Sequence, residues 1–271
     1  MMNITPVVKQ LLIINIIFFI GSQFTPIAGE LFSLSYPENP SFKFWQPLTH
    51  MFMHGGIGHI FFNMFALYSF GSNLEYIWGG KKFLFFYISC GLGAALLHCV
   101  VNYLQIQNIL SSVSDLNLSH QILNKILSVN FDDGINYRAD LFESGIKPIL
   151  VENHKWQLIN QGNFKTLFDA AIEFDSKAVG ASGAIYGLLV AFAFMFPEAT
   201  LGLLFIPVPI KAKYFIPGLL VIDLVLGVSG KSIFGGNGTG IAHFAHIGGA
   251  ITGFIMMWFW KKNQFNDKRW D

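Results

Sequence analysis

The segment FLFFYISCGLGAALLHCVVNY, residues 83–103, settles the class of this protein. It runs for 21 residues without Asp, Glu, Lys or Arg. A bilayer core asks for about 20 such residues in one helix. Reading outward from it, five more apolar runs appear. They are Val7–Phe24, Ile57–Trp78, Ser182–Phe196, Tyr214–Val228 and Ala242–Trp260, and the fourth and fifth spans of the six are short. Short spans need thinned lipid or shelter from neighbouring helices. Composition agrees: 53% of the 271 residues are hydrophobic, 12% are charged and 29 are Phe, which one water-facing core could not hide. The expected fold is an all-α polytopic membrane protein with six transmembrane helices.

The net charge of +1 and the lack of a basic stripe argue against nucleic-acid binding. Cys90 and Cys99 share one apolar run. On one helix they would stand about 13 Å apart, too far for a disulfide, and neither has a metal-ligand spacing to His. Leu11–Ile20 resembles the apolar centre of a signal peptide, but no small-residue cleavage site follows it, so it reads as a retained first span.

Basic residues set the expected orientation. Lys9, Lys81 and Lys82, Lys211 and Lys213, and Lys261, Lys262, Lys268 and Arg269 fall at places that share one side of a six-span protein. The positive-inside rule makes that side cytoplasmic, with both termini inside. The second, fourth and sixth helices then run from outside to inside. Ile27–Gly56 reads as a long external loop. Asn102–Lys177 is polar, with nine acidic and six basic residues, and reads as an extracytoplasmic insertion or cap within a single membrane domain spanning 1–271. Two amphipathic helices are expected in it, one through Ile122, Leu123, Ile126 and Leu127, the other through Leu167, Phe168, Ala171 and Ile172.

Polar groups inside membrane helices are costly and are functional suspects. Here they are His59, Asn63, Ser182, Tyr186, Asp223, His243 and His246. His59 and Asn63 are four apart at the start of the second helix and share a face. Ser182 and Tyr186 stand likewise at the start of the fourth, and His246 lies about one turn into the sixth. Topology alone brings these three helix starts to one depth, near the external surface. The set suits acyl transfer. A serine hydroxyl needs a base, histidine is the usual one, and Asn, His and backbone N–H groups can donate to an oxyanion. Ser182 also begins a helix, where free N–H groups favour negative charge. Gly183, Gly187, Gly249 and Gly253 would let the fourth and sixth helices approach closely.

Three patterns here resemble the rhomboid family of intramembrane serine proteases. Gly180-Ala181-Ser182-Gly183 with Tyr186 is similar to its GxSG nucleophile motif. Ala245-His246-Ile247-Gly248-Gly249 with Gly253 is similar to its histidine helix. His54 followed by His59-Ile60-Phe61-Phe62-Asn63 is similar to its HxxxN element. The resemblance covers about 45–100 and 178–260. It implies a rhomboid-like six-helix bundle in which Ser182 is the nucleophile and His246 the base and then the acid. His59, Asn63 and the Ser182 N–H would line the oxyanion hole, and Tyr186 would pack on His246. The implied substrates are transmembrane segments of membrane proteins, with the lipid bilayer as setting and with no metal or cofactor. Three departures stand out. A Glu-x-Arg pair that the family often has after its first helix appears as Glu75 with Ile77 in place of the arginine. A Trp-Arg pair appears as Trp45-Gln46. The usually short link between the third and fourth helices is the long insertion, which puts substrate access at issue.

Other residues take plainer readings. His243 reads as solvated or bonded to a loop, His50 and His54 as loop hydrogen-bonders or holders of water, and His98 as paired within the bundle. Asp223 reads as structural, facing the bundle or protonated, with a part in a gate as the alternative. A catalytically silent relative that binds membrane helices is the rival function, but such relatives usually lose the serine or histidine, and this chain keeps both. A transporter would place its polar groups at mid-membrane. The span lengths lean towards a bacterial inner membrane.

Overall fold

The computed structural model describes residues 4–25, 27–203, 206–230 and 241–264. The six expected spans are all helical. They are α1 (Pro6–Phe24), α2 (residues 57–78), α3 (Gly80–Ser111), α7 (Ser182–Met195), α8 (Ala212–Ser229) and α9 (Ile241–Gln264). The chain is a polytopic all-α membrane protein. Between α3 and α7 lie α4 (His120–Leu127), α5 (Ala139–Glu152) and α6 (Gln161–Asp175). Lys268 and Arg269, invoked for orientation, lie outside the described residues.

The chain divides into two compact units. One comprises residues 1–34, 44–98 and 178–271; the other comprises 35–43 and 99–177. In the first unit, α7 is the axis. At 14 residues it would be roughly 21 Å long at 1.5 Å per residue, well short of a bilayer core. Ten of its residues are buried, so its shelter comes from neighbouring helices. Glycines make this close packing feasible. A Cβ on Gly249 would run into the Gly183 carbonyl, and one on Gly253 would lie 2.8 Å from the Gly187 Cα. These pairs advance together along both helices, so α7 and α9 run parallel. His59 lies against Gly180, and Phe70 meets Phe192, so α2 runs parallel to them as well. Conversely, Gly183 faces Ala94 and Gly187 faces Cys90, so α3 runs antiparallel to α7. The starts of α2, α7 and α9 therefore lie at one end of this unit.

The departures from the expected pattern have local causes. Glu75, whose family partner arginine is replaced by Ile77, is buried near the end of α2, where it caps α1. Its carboxylate accepts from the N–H groups of Val7 and Val8 at 2.9 and 2.8 Å and from the Thr5 hydroxyl at 2.5 Å. A helix N-terminus leaves N–H groups without partners and favours negative charge, so one carboxylate serves both needs. The Ile27–Gly56 loop contains short helices at Ile27–Phe32 and Gln46–Thr49. Side chains tie them together: Trp45 Nε1 donates to the Leu31 carbonyl and Gln46 Nε2 to that of Glu30. An amide at position 46 thus makes a carbonyl tie that needs no guanidinium.

An unanticipated antiparallel hairpin, β1 (Thr200–Leu203) and β2 (Ile206–Lys211), links α7 to α8. Lys211 and Lys213 both pair with Glu198, and they hold its carboxyl down to about 2.

The second unit has its own apolar core. Phe142, Ile146 and Leu150 of α5 pack with Leu167, Ala171 and Phe174 of α6, with Ile126 of α4 and with Ile106 near the end of α3. Residues 35–43 also belong to it. Tyr36 packs on Phe174 with ring centroids 5.4 Å apart, and Asn39 Nδ2 donates to the Phe174 carbonyl. Both expected amphipathic helices are present, as α4 and α6. The third, α5, carries Pro148 within it, which breaks the helical reading of its sequence. The third span is also longer than expected: α3 runs to Ser111, beyond the end of its apolar stretch.

Candidate active site

Ser182 is the first residue of α7. The turn before it is tightly specified. Gly180 has φ +124°, which side-chain-bearing residues rarely adopt, and its N–H donates to the His50 carbonyl at 2.9 Å. A Cβ on Gly180 would stand 2.8 Å from His59 Nε2 and 3.4 Å from Ser182 Oγ. Glycine at 180 is therefore what allows the His59 ring and the serine hydroxyl to share this space.

His246, in the second turn of α9, places Nε2 at 2.9 Å from Ser182 Oγ. Its ring lies against that of Tyr186, with centroids 4.3 Å apart and planes 12° apart. Tyr186 is one turn below Ser182 on the same helix, so α7 supplies both the hydroxyl and the surface that orients the imidazole.

On α2, His59 Nδ1 accepts from the Gly55 N–H at 3.4 Å, which leaves Nε2 to carry its proton on the side facing Gly180. One turn further, Asn63 is buried, and its Nδ2 has no hydrogen-bond partner among the described residues. A buried unsatisfied donor is costly and calls for a reason. His54 lies beside His59, with ring centroids 5.1 Å apart, while His50 donates from Nδ1 to Gln46.

Two further residues join the site, Asp223 and His243. Asp223, treated as structural or part of a gate, lies against the imidazoles. Its Oδ1 is 2.5 Å from His243 Nδ1 and 3.3 Å from His246 Nδ1. His243 is correspondingly buried and bonded to Asp223 of α8, where a solvated position was expected. The signal was present: Asp223 is the one ionisable residue from 215 to 229, and on α8 it is buried while Val221, Ile222, Leu224 and Val225 are exposed. What the sequence could not supply was the pairing across the link to α9. The oxygen and two nitrogens also have the composition of a divalent-cation ligand set. As they stand, hydrogen bonds account for the grouping.

A family model, the rhomboid domain, matches residues 41–110 and 156–263. The chain belongs to the rhomboid family. The match takes in all the residues above, from His50 to His246, and leaves out 111–155, which fall inside the second unit. It also reaches back to Trp156, ahead of the region from 178 that carries the motif resemblance. Among curated rhomboid relatives, the chain is 24% identical over 227 residues to an uncharacterised mitochondrial rhomboid protein of Schizosaccharomyces pombe, covering 81% of this chain and 52% of that one. It is 35% identical over 54 residues to the rhomboid protease GluP of Bacillus subtilis, covering 20% of this chain and 11% of that one. The chain thus spans about half the length of the first relative and a small part of the second.

Proposed function

We propose that this rhomboid-family protein is an intramembrane serine endopeptidase that cuts transmembrane segments of membrane-protein substrates with Ser182 and His246. The observation that carries the reading is the 2.9 Å approach of Ser182 Oγ to His246 Nε2 at the start of two parallel helices. In this mechanism His246 takes the hydroxyl proton as Oγ attacks the scissile carbonyl carbon. The carbonyl oxygen becomes an oxyanion, and His59 Nε2–H, Asn63 Nδ2 and the Ser182 N–H supply its donors. These groups are fixed in place before reaction, which is what makes such donors effective. His246 returns the proton to the leaving amine as the C–N bond breaks. It then takes a proton from water as the water oxygen attacks the acyl carbon, and gives that proton to Oγ as the acyl C–O bond breaks, which releases the carboxyl product and restores the Ser182 hydroxyl.

Co-expression with a panel of tagged single-span proteins tests the reading. Cleavage by the wild type should vanish in both Ser182→Ala and His246→Ala. Cleavage that persists in Ser182→Ala overturns the mechanism. Wild-type capture of substrates without cleavage would favour a silent helix-binding relative.

A further inference from the structure

Among the buried ionisable groups that the two-residue mechanism leaves unused, Asp223 touches the histidine which that mechanism depends on. A neutral imidazole carries one ring proton, on either nitrogen. Only the form protonated at Nδ1 leaves Nε2 with the lone pair that can accept from Ser182. Tyr186 fixes the plane of the His246 ring, yet stacking on a face does not choose between nitrogens. The group that chooses is the acceptor beside Nδ1, and that is Asp223 Oδ1 at 3.3 Å.

The carboxylate is itself held. His243 Nδ1 lies 2.5 Å from the same oxygen, and the contact is buried. His243 and His246 are three residues apart on α9, so both reach the facing side of α8. The two helices meet closely there: a Cβ on Gly227, one turn beyond Asp223, would lie 3.0 Å from Phe244 and 3.3 Å from the His243 Cβ.

We propose that Asp223 is a positioning residue for His246, held in place by His243, so that the site works as a Ser182–His246–Asp223 set. This rests on the protease reading above. During attack, His246 becomes an imidazolium, and the carboxylate beside Nδ1 stabilises that charge. In serine hydrolases with this arrangement, changing the acid to its amide leaves the geometry in place but favours the wrong tautomer, at a cost of roughly 10⁴-fold.

The test is the kinetics of fluorophosphonate labelling of the full chain in liposomes, with kinact and KI measured separately. Asp223→Asn should lower kinact by about 10²-fold or more while KI stays within about twofold of wild type. Asp223→Glu, which keeps the charge, should recover part of kinact. His243→Ala, which removes the hold on Asp223 but keeps its carboxylate beside His246, should lose less than Asp223→Asn. A first-order kinact describes the molecules that react, so partial unfolding of a variant lowers labelling amplitude and not this constant. Wild-type kinact in Asp223→Asn overturns the proposal, as does equal kinact in the Asn and Glu variants or equal loss in His243→Ala. Ser182→Ala, run alongside, separates the two claims. If it labels like wild type, the protease reading itself fails; if it does not label and Asp223→Asn does so normally, only the role of Asp223 fails.

Discussion

Tyr186 lies flat against His246, with ring planes 12° apart and centroids 4.3 Å apart. Both belong to the same helix pair that carries Ser182, so this contact orients the base relative to the nucleophile. Aromatic pairs contribute about 0.5–1.5 kcal/mol beyond their buried area. If that difference appears in the transition state, Tyr186→Ala should slow fluorophosphonate labelling by roughly 2- to 10-fold. Tyr186→Phe keeps the ring and loses only the hydroxyl beside Asp223, so it should react faster than Tyr186→Ala. Rate constants for the two variants, measured side by side, check this; equal rates would show that the stacked face does not matter.

The approach of α9 to α7 is limited by backbone. Gly249→Ala would place a methyl group against the Gly183 carbonyl, where no flexible side chain can give way. Overpacking of this kind typically costs about 1–3 kcal/mol, and misplacing reacting groups by about 1 Å can cost roughly 10²-fold in rate. We expect a lower Tm and near-complete loss of labelling. Gly218→Ala is the control: nothing lies within 4 Å of its added Cβ, and Tm and labelling should be unchanged.

Glu75 makes its contribution far from Ser182 in sequence and in role. Its bonds to Thr5, Val7 and Val8 join α2 to the start of α1. Hydrogen bonds to charged groups contribute about 1.5–3 kcal/mol each. Glu75→Gln keeps the shape and one carbonyl acceptor, so the expected loss is about 1–3 kcal/mol, seen as a lower Tm. Labelling kinetics of the folded molecules should hold. A lower kinact with unchanged Tm would contradict the capping role.

How much of this was legible in the sequence depends on distance along the chain. The six spans follow from runs of apolar residues, and the shared face of His59 and Asn63 follows from a spacing of four. Glycines at 183, 187, 249 and 253 pointed to close packing because both pairs repeat every four residues. By contrast, Asp223 and His243 are 20 apart, and no periodicity crosses the link between their helices. Glu75 lies in the expected second span, but its bonds to Thr5, Val7 and Val8 cross about 70 residues of chain, and no local pattern signals them. In α5, Pro148 masked a helix whose core residues Phe142, Ile146 and Leu150 still keep a four-residue spacing.

The Asn102–Lys177 insertion is followed directly by the turn that carries Gly180 and Ser182. We propose that it controls substrate access. Its separate core means that its loss need not unpack the helices around α7. Replacing it with a short Gly/Ser linker should preserve fluorophosphonate labelling of Ser182 and change the choice or rate of cleavage across a single-span substrate panel. Identical cleavage across that panel would argue against such control.

In the proposed mechanism Ser182 is a nucleophile activated by His246. Peptide mapping by mass spectrometry after fluorophosphonate treatment of the full chain in liposomes tests it most directly. One phosphonyl adduct should form, on Ser182, and none in His246→Ala over the same time. An unmodified Ser182 in the wild type, or an adduct that forms equally fast without His246, would contradict it.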